Sequence, residues 1–457
     1  MAVERAHWGS RLAFVLAAAG SAVGLGNLWK FPYITWENKG GAFVIVYLVA
    51  VLVLGLPIMV AEILVGRRAQ LSPVPAFEKL GGKGWSVVGW LGVATGAIIQ
   101  SYYMVIAGWS VHSFYQCMKW SIGGYQQPGK EAFGEFIGNG ALQIGFTTIF
   151  TVMTAVIVYR GVSGGIEKAT KIMVPALCAI LLYLFVTALS MPGRDQALSL
   201  IFVPHFSQLP ATGVLEAVGH SFFTLSLGLG AMITYGSYIS KKESIFRAAL
   251  AVVLFDTAVA LVATIAMFTI IFSVPDLAKD LSGSTVGMLF ITLPHLFYTV
   301  MPGGVVLAPL FYVLVGFAAL TSTISLGEVV ASLFIDKLGW TRPKAIVASA
   351  AGVFVGSLLA ALSLGAVGPL SSFELFDHKE GVLSTLDHLA SNWLLPLGGL
   401  GTTVFVGWFL GRKSCQEELG ITQPNIAFTV WIWILRVVAP IAILAIIIAV
   451  ILGKDFS

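Results

Sequence analysis

Two glycine-rich stretches interrupt apolar sequence and decide how this chain folds. The first reads GSAVGLGN over residues 20–27, and the second reads SLGLG over residues 226–230. Each lies near the middle of an apolar segment, and apolar sequence continues on its far side. Because backbone inside a bilayer must satisfy its own hydrogen bonds, such breaks are tolerated only where they line a cavity. The two stretches therefore predict two discontinuous membrane helices.

The rest of the sequence indicates an all-α polytopic membrane protein. Of its 457 residues, 57% are hydrophobic and 11% are charged, whereas a soluble domain carries roughly 25% charged residues. A membrane-spanning helix needs about 20 mostly apolar residues, and eleven segments meet that requirement. They are residues 11–36, 41–66, 88–118, 140–159, 172–190, 217–239, 246–273, 303–334, 344–363, 388–410 and 427–452.

The positions of the two breaks predict the architecture. They fall in the first and sixth segments, so each break opens a block of five helices. Matching breaks in two blocks of five predict a 5+5 inverted-repeat transporter fold with its binding site near the bilayer midplane. The repeats would cover about 11–190 and 217–410, with 427–452 as an additional helix of the same transmembrane domain. Taken singly, each break could instead be a small-residue packing face.

Basic residues predict the orientation in the bilayer. With the amino terminus inside the cell, seventeen of the 26 Lys and Arg residues lie on the cytoplasmic side, as the positive-inside rule requires. An odd number of helices then places the carboxyl terminus outside. The first segment is too long for a signal peptide and lacks a cleavage site, so we expect it to be retained. We expect the protein to lie in a bacterial inner (plasma) membrane. Its expected partners include the lipid bilayer and exclude nucleic acid, and the sequence leaves the oligomeric state open.

The breaks also indicate what binds there. Unwound backbone offers carbonyl oxygens to a small hard cation, and the positive amino-terminal end of a half-helix suits a carboxylate. An amino-acid zwitterion together with sodium would satisfy both, and no organic cofactor is expected. A channel needs a continuous polar pore, and an enzyme needs a nucleophile–base or metal-ligand set. Neither pattern occurs in the sequence. A proton-coupled amino-acid transporter of the same fold is the alternative.

Motifs along nearly the whole chain resemble the neurotransmitter:sodium symporter family. They are Arg5 with Trp8, residues 20–27, the triplet Phe31-Pro32-Tyr33, Gly165 and Pro175 with nine residues between them, and residues 222–228, 290–294 and 318–322. The eleven-helix bacterial branch, which transports hydrophobic amino acids, is the part of the family that the chain resembles most. The resemblance implies sodium-coupled symport of a neutral, hydrophobic or aromatic L-amino acid into the cell by alternating access.

The resemblance also implies two sodium sites. The first would use Ala22, Asn27, Thr224 and Asp256, together with the substrate carboxylate. The second would use Gly20, Val23, Ala318, Thr321 and Ser322. All of these groups are oxygen donors, as a hard cation requires.

The substrate pocket implied by the resemblance lies between the same helices. Its residues would be Ser21, Ala22, Leu25, Gly26, Ile99, Tyr103, Phe223, Thr224, Ser226, Leu229, Ser322 and Leu326. Tyr103 would donate to the substrate carboxylate, and Phe223 would form a lid. Amine-transporting relatives carry an aspartate at the position of Gly24. Its absence implies a substrate that brings its own carboxylate.

Ionisable residues within membrane segments are functional hypotheses by default. Asp256 stands where chloride-dependent relatives have a neutral Asn, so its charge would replace the chloride. The acidic residue that some bacterial relatives carry nearby is absent, because that position is Ala260. Glu62 resembles the acid that braces the unwound sixth helix. Glu328 receives no assigned role, and Arg436 is expected to extend towards the bilayer surface.

Two pairs of opposite charges resemble the gates of the family. On the outside, Lys30 would pair with Asp387, with His220 nearby. Lysine lacks the bidentate geometry of the arginine usual at that position. On the inside, Arg5 would pair with Asp336, and Trp8 and Tyr238 would pack around them.

Overall fold

A computed structural model describes residues 6–128, 131–274, 287–423 and 425–456. Within these ranges, regular structure is helical apart from an isolated bridge between Glu374 and Glu380. Nine continuous helices in the described ranges are long and apolar enough to cross a bilayer, and we number them spans 2–5 and 7–11. In order they are Gly41–Ala69, Lys83–Gly123, Gly140–Tyr159, Val162–Ala188, Ile245–Phe272, Gly304–Leu338, Arg342–Leu362, Val382–Phe409 and Ile426–Ile451.

Spans 1 and 6 are each built from two helices. In span 1, Arg11–Ala22 and Gly26–Glu37 meet at an angle of 52°. In span 6, Ala211–Thr224 and Ala231–Gly236 are separated by residues 225–230. With these two the described residues contain eleven spans, so the prediction of eleven helices with breaks in the first and sixth is confirmed.

Several helices are longer than predicted, and others were not predicted. Span 5 begins at Val162 and not near residue 172. Its first turns carry Glu167, Lys168 and Lys171, which lower the local hydropathy but do not oppose helix formation. Short helices between the spans also lie outside the predicted segments. They include Pro73–Gly81, Ala132–Gly138, Arg194–Phe202, Leu293–Thr299 and Arg412–Leu419.

The broken spans lie at the centre of the helix bundle. Spans 3 and 8, which are continuous, pack along each other beside the breaks. The second half of span 6 packs directly on span 2 through two glycines. A Cβ added at Gly66 would lie 1.9 Å from the carbonyl oxygen of Ile233, and one added at Gly236 would lie 2.7 Å from that of Ile63. The backbones of these two helices are therefore in contact, as small residues permit.

Candidate functional site

The break in span 1 is held by side chains. The helix leaves its path at Val23, whose ψ of 95° is extended. The next two backbone N–H groups then lack carbonyl partners in the preceding turn. The Gly24 N–H donates to Asn27 Oδ1 at 3.0 Å, and the Leu25 N–H donates to Tyr103 Oη at 2.8 Å. Two polar side chains therefore cap the second half-helix.

The break in span 6 depends on unusual backbone conformations. Ser226, Gly228 and Gly230 have φ angles of 54°, 77° and 78°, in the left-handed region that favours glycine. The Gly228 N–H donates to Glu62 Oε1 at 2.7 Å, and Glu62 is fully buried. The expectation that Glu62 braces this break is confirmed. The Ser226 hydroxyl donates to the Ser21 carbonyl at 2.9 Å and joins the two breaks.

A cavity lies where the two breaks meet spans 3 and 8. None of its described lining residues carries a charge. The lining residues are Ser21, Ala22, Gly24, Gly26, Ile99, Tyr103, Phe223, Thr224, Ser226, Leu229, Ser322, Ser325 and Leu326.

Eleven of the twelve predicted pocket residues line this cavity. The exception is Leu25, whose side chain is fully buried and which contributes only its N–H to Tyr103. Sequence reasoning missed Ser325, whose hydroxyl lies 2.7 Å from that of Ser21. Ser325 is three residues after Ser322 on a helix, a spacing that places both on one face and could have identified it.

An oxygen-rich cluster adjoins the cavity at its Thr224 wall. The Asp256 carboxylate accepts from Asn27 Nδ2 at 2.8 Å and from the Thr224 hydroxyl at 3.0 Å. Asp256 and Asn27 are fully shielded from solvent, and Thr224 is nearly so. Ala22, the fourth residue predicted for this sodium site, lines the cavity beside them. The structure thus brings together a carboxylate, an amide and a hydroxyl, which are ligands suited to a hard cation.

A second oxygen-rich cluster lies where span 8 meets span 1. The hydroxyls of Thr321 and Ser322 donate to the Ala318 carbonyl at 3.0 and 3.2 Å. The Ser322 hydroxyl also lies 3.2 Å from the Ser21 carbonyl. A Cβ added at Gly20 would lie 3.1 Å from Thr321 Cβ, so span 1 passes close to the hydroxyl pair here. Val23, the fifth predicted residue, ends the first half-helix.

The predicted outer pair is not formed in this conformation. Lys30 Nζ donates to the Phe456 carbonyl at 2.9 Å and lies 5.2 Å from the centre of the Phe223 ring. Asp387 accepts from the Ser391 hydroxyl at 3.0 Å. The pair between Lys30 and Asp387 is absent because the residues after span 11 fold back and bind Lys30 instead.

His220 lies below Lys30 in the same region. Its ring stacks on Phe31 with centroids 5.6 Å apart. Both of its ring nitrogens are buried without a hydrogen-bond partner among the described residues. His220 therefore contributes packing, and no ion pair, to the Lys30 side of the cavity in this conformation.

The predicted inner pair can be described only in part, because Arg5 lies outside the described residues. Asp336 accepts from the Ser72 N–H at 2.7 Å. The Trp8 N–H donates to the Tyr238 carbonyl at 3.1 Å, and the two rings pack edge to face. The predicted packing of Trp8 with Tyr238 is thus confirmed.

Glu328, which received no role from the sequence, lies beneath this aromatic pair. Its Oε1 accepts from the Tyr238 hydroxyl at 2.7 Å, and both of its carboxylate oxygens accept from the Arg342 guanidinium. Glu328 is fully buried, and a bidentate pair of this kind is strong and directional. Arg342 is the first residue of span 9, and no sequence spacing indicates that it reaches Glu328.

Arg436 bonds within the protein and does not extend towards the bilayer surface as expected. Its Nε donates to the Gly407 carbonyl at 2.5 Å, and its guanidinium lies 5.1 Å from the centre of the Trp408 ring. The Trp408 indole donates back to the Arg436 carbonyl at 3.2 Å. Arg436 therefore joins spans 10 and 11.

Comparisons with known proteins agree with this architecture. The sequence profile of the sodium:neurotransmitter symporter family matches residues 5–127 and 134–455. The chain is 33% identical to YhdH, an uncharacterized sodium-dependent transporter of Bacillus subtilis (strain 168), over 96% of each protein. It is 30% identical to an uncharacterized sodium-dependent transporter of Haemophilus influenzae over 98% of each. The crystal structure of MhsT in complex with L-phenylalanine superimposes with a TM-score of 0.88 at 38% identity, covering 97% of this chain and 99% of MhsT.

Proposed function

This chain belongs to the sodium:neurotransmitter symporter family, and from that premise we propose that it carries a neutral, hydrophobic or aromatic L-amino acid into the cell by alternating access. Sodium-dependent transport across a membrane is what the family does. The observation that carries the finer proposal is the uncharged cavity between the two breaks, with oxygen-rich clusters on two of its sides. The substrate, the number of ions and the independence from chloride are the proposed parts.

A carboxylate on the substrate fits the span 1 side of the cavity. Gly26 begins the second half-helix and lines the cavity, and a helix amino terminus favours a negative group. Tyr103 lines the same wall, and its hydroxyl could turn from Leu25 towards a bound carboxylate. A side chain at position 24 would meet the Ser322 and Tyr103 hydroxyls at 2.8 Å, so this chain has no room for an acid of its own there.

The far wall of the cavity favours an apolar substrate side chain. Ile99, Leu229 and Leu326 supply aliphatic surface, and Phe223 supplies an aromatic face. A lysine or glutamate side chain would lie there without a partner for its charge, and burying such a charge is costly. MhsT, which has been crystallised with L-phenylalanine, supports an aromatic or aliphatic amino acid.

Two sodium ions would account for both oxygen clusters. The first, at Ala22, Asn27, Thr224 and Asp256, would contact the substrate carboxylate directly. The second, at Gly20, Val23, Ala318, Thr321 and Ser322, would hold span 1 against span 8. Moving one charge through 100 mV yields about 2.3 kcal/mol. Two ions therefore supply about 4.6 kcal/mol, enough for a roughly thousandfold accumulation of a zwitterion.

Asp256 supports transport without chloride. Its carboxylate belongs to the chain and already lies beside the first cluster. A fixed negative charge there balances a sodium ion, so no mobile anion is needed.

Basic residues favour a cytoplasmic amino terminus and an outside carboxyl terminus, and inward transport then runs from the Lys30 side to the Trp8 side.

A binding and uptake screen tests this function. Purified protein in liposomes is offered each of the twenty amino acids with sodium outside or with choline in its place. We expect apolar or aromatic L-amino acids to bind and accumulate only with sodium. Lysine, glutamate or a decarboxylated amine competing best would overturn the substrate proposal. Uptake in choline that follows a proton gradient would establish the proton-coupled alternative.

A further inference from the structure

The residues that follow span 11 fold onto the outer end of span 10. The Asp455 carboxylate pairs with Lys379, lies 3.3 Å from His388 Nδ1 and accepts from Asn392 Nδ2 at 2.6 Å. Three side chains from the approach to span 10 and from span 10 itself therefore converge on one carboxylate. Hydrogen bonds with an ionised partner are stronger than neutral ones.

Phe456 extends the same contacts to span 1. Its N–H donates to Asn392 Oδ1 at 3.0 Å, and its carbonyl accepts from Lys30 Nζ at 2.9 Å. Its half-buried ring packs against the core. Residues 454–456, which we call the strap, thus connect the second half of span 1 to span 10.

The strap lies over the route to the cavity. Lys30 Nζ, which the strap engages, is 5.2 Å from the centre of the Phe223 ring, and Phe223 lines the cavity. Asp387, the residue expected to pair with Lys30, immediately precedes His388, to which Asp455 binds. The strap therefore takes the place of the missing ion pair and contacts both elements that would have formed it.

We propose that the strap closes the outer end of the pathway and limits how fast solutes reach the cavity from that side. The proposal rests on the proposed function only in taking this cavity as the substrate site. Asp455 is 38% exposed and Lys379 is 21% exposed, and ion pairs with this exposure are individually weak. The strap can therefore detach without disturbing the bundle.

Cysteine accessibility tests the strap without any substrate. The three native cysteines, Cys117, Cys178 and Cys415, are replaced by alanine. His220→Cys then places a reporter next to Phe223, at a position that is only 3% exposed. Protein in liposomes is treated from the outside with a membrane-impermeant maleimide. The rate of modification is compared among the parent, Asp455→Asn, Asp455→Glu and a chain that stops at Gly453.

We expect Asp455→Asn to raise the modification rate roughly threefold and the shortened chain to raise it roughly tenfold. The shortened chain should have the larger effect because it loses more of the contacts that hold the strap. Asp455→Glu should restore most of the parent rate, and the melting temperatures should agree within error. Lys454→Ala is the matched control, because that side chain makes no hydrogen bond or ion pair with a described residue.

Unchanged modification in both Asp455→Asn and the shortened chain would overturn the proposal, as would an equal rise in Lys454→Ala. The outcome does not depend on amino-acid uptake. A parent that transports no amino acid would refute the proposed function while leaving the accessibility result intact. Where uptake is present, the open variants should also release bound labelled amino acid faster to the outside.

Discussion

The break in span 1 occupies Val23 and Gly24, whereas the break in span 6 extends over the six residues from Leu225 to Gly230. The first is held by the side chains of Tyr103, which lines the cavity, and of Asn27, which also binds Asp256. The second is held by three left-handed backbone conformations and by a brace from span 2. The difference indicates that changes at Asn27 and Tyr103 alter binding, while changes at the left-handed glycines of the second break, Gly228 and Gly230, alter folding.

The sharpest test of this contrast is Gly228→Ala. Its φ of 77° costs a non-glycine residue about 1–2 kcal/mol, and a Cβ there would lie 2.4 Å from the Leu395 carbonyl oxygen. We expect little folded protein in membranes and no measurable uptake. Gly352→Ala on span 9 is the control, because a Cβ there meets no atom within 4 Å. Equal yields of the two variants would contradict the assignment of the span 6 break to folding.

Asp256→Asn should remove most transport while leaving the fold intact. The amide keeps one acceptor for Asn27 and Thr224 but loses the charge proposed to balance the first sodium. We expect uptake near background in gluconate, with any recovery only in chloride, and parent uptake that is equal in both salts. Sodium-gradient uptake in proteoliposomes measures this. A parent that stops in gluconate would remove Asp256 from the role of fixed counter-charge.

Thr321→Ala should weaken the proposed second sodium site alone. Losing one oxygen ligand should raise the sodium concentration for half-maximal uptake by about tenfold, which corresponds to about 1.4 kcal/mol. Thr323→Ala is the matched control, because the Thr323 hydroxyl bonds to Leu320 and Thr154, on a different face of span 8. Similar sodium curves for the parent and Thr321→Ala would show that Thr321 is not a ligand.

Tyr103→Phe should have the smallest effect of the four. It removes the acceptor of the Leu25 N–H and the proposed donor to the substrate carboxylate, and KM should rise about fivefold, as expected for a loss of about 1 kcal/mol. Tyr102→Phe should leave KM unchanged, because Tyr102 does not line the cavity. If Tyr103→Phe changed the melting temperature but not KM, the role of Tyr103 would be to cap the second half of span 1 and not to bind substrate.

The spans and both breaks could be predicted because hydropathy and glycine act locally. A membrane helix must be about 20 residues long and apolar, and residues 20–27 and 226–230 break that pattern in sequence itself. Part of the cavity could be predicted because residues such as Ser21, Phe223 and Ser322 belong to the family motifs at the breaks and on span 8. Leu25 is the predicted pocket residue that does not line the cavity, since an irregular backbone does not preserve the facing expected from helical periodicity.

The contacts at the two ends of the pathway could not be predicted in the same way. Lys30 meets Phe456, which is 426 residues away along the chain. Arg342 reaches Glu328 across a turn between two helices. Long charged side chains select partners by three-dimensional proximity, and neither hydropathy nor spacing encodes it. The sequence could only suggest that charges near helix ends form pairs.

The glycine contact between span 2 and the second half of span 6 has a consequence for recombining this protein with its relatives. Gly66 and Gly236 accept each other's backbones only at their present separation, and Glu62 on span 2 also binds Gly228. These two segments therefore behave as one inherited unit, although some 160 residues of sequence lie between them. A hybrid with a crossover point anywhere between spans 2 and 6 would set one parent's helix against the other's backbone, so functional hybrids should exchange both segments together.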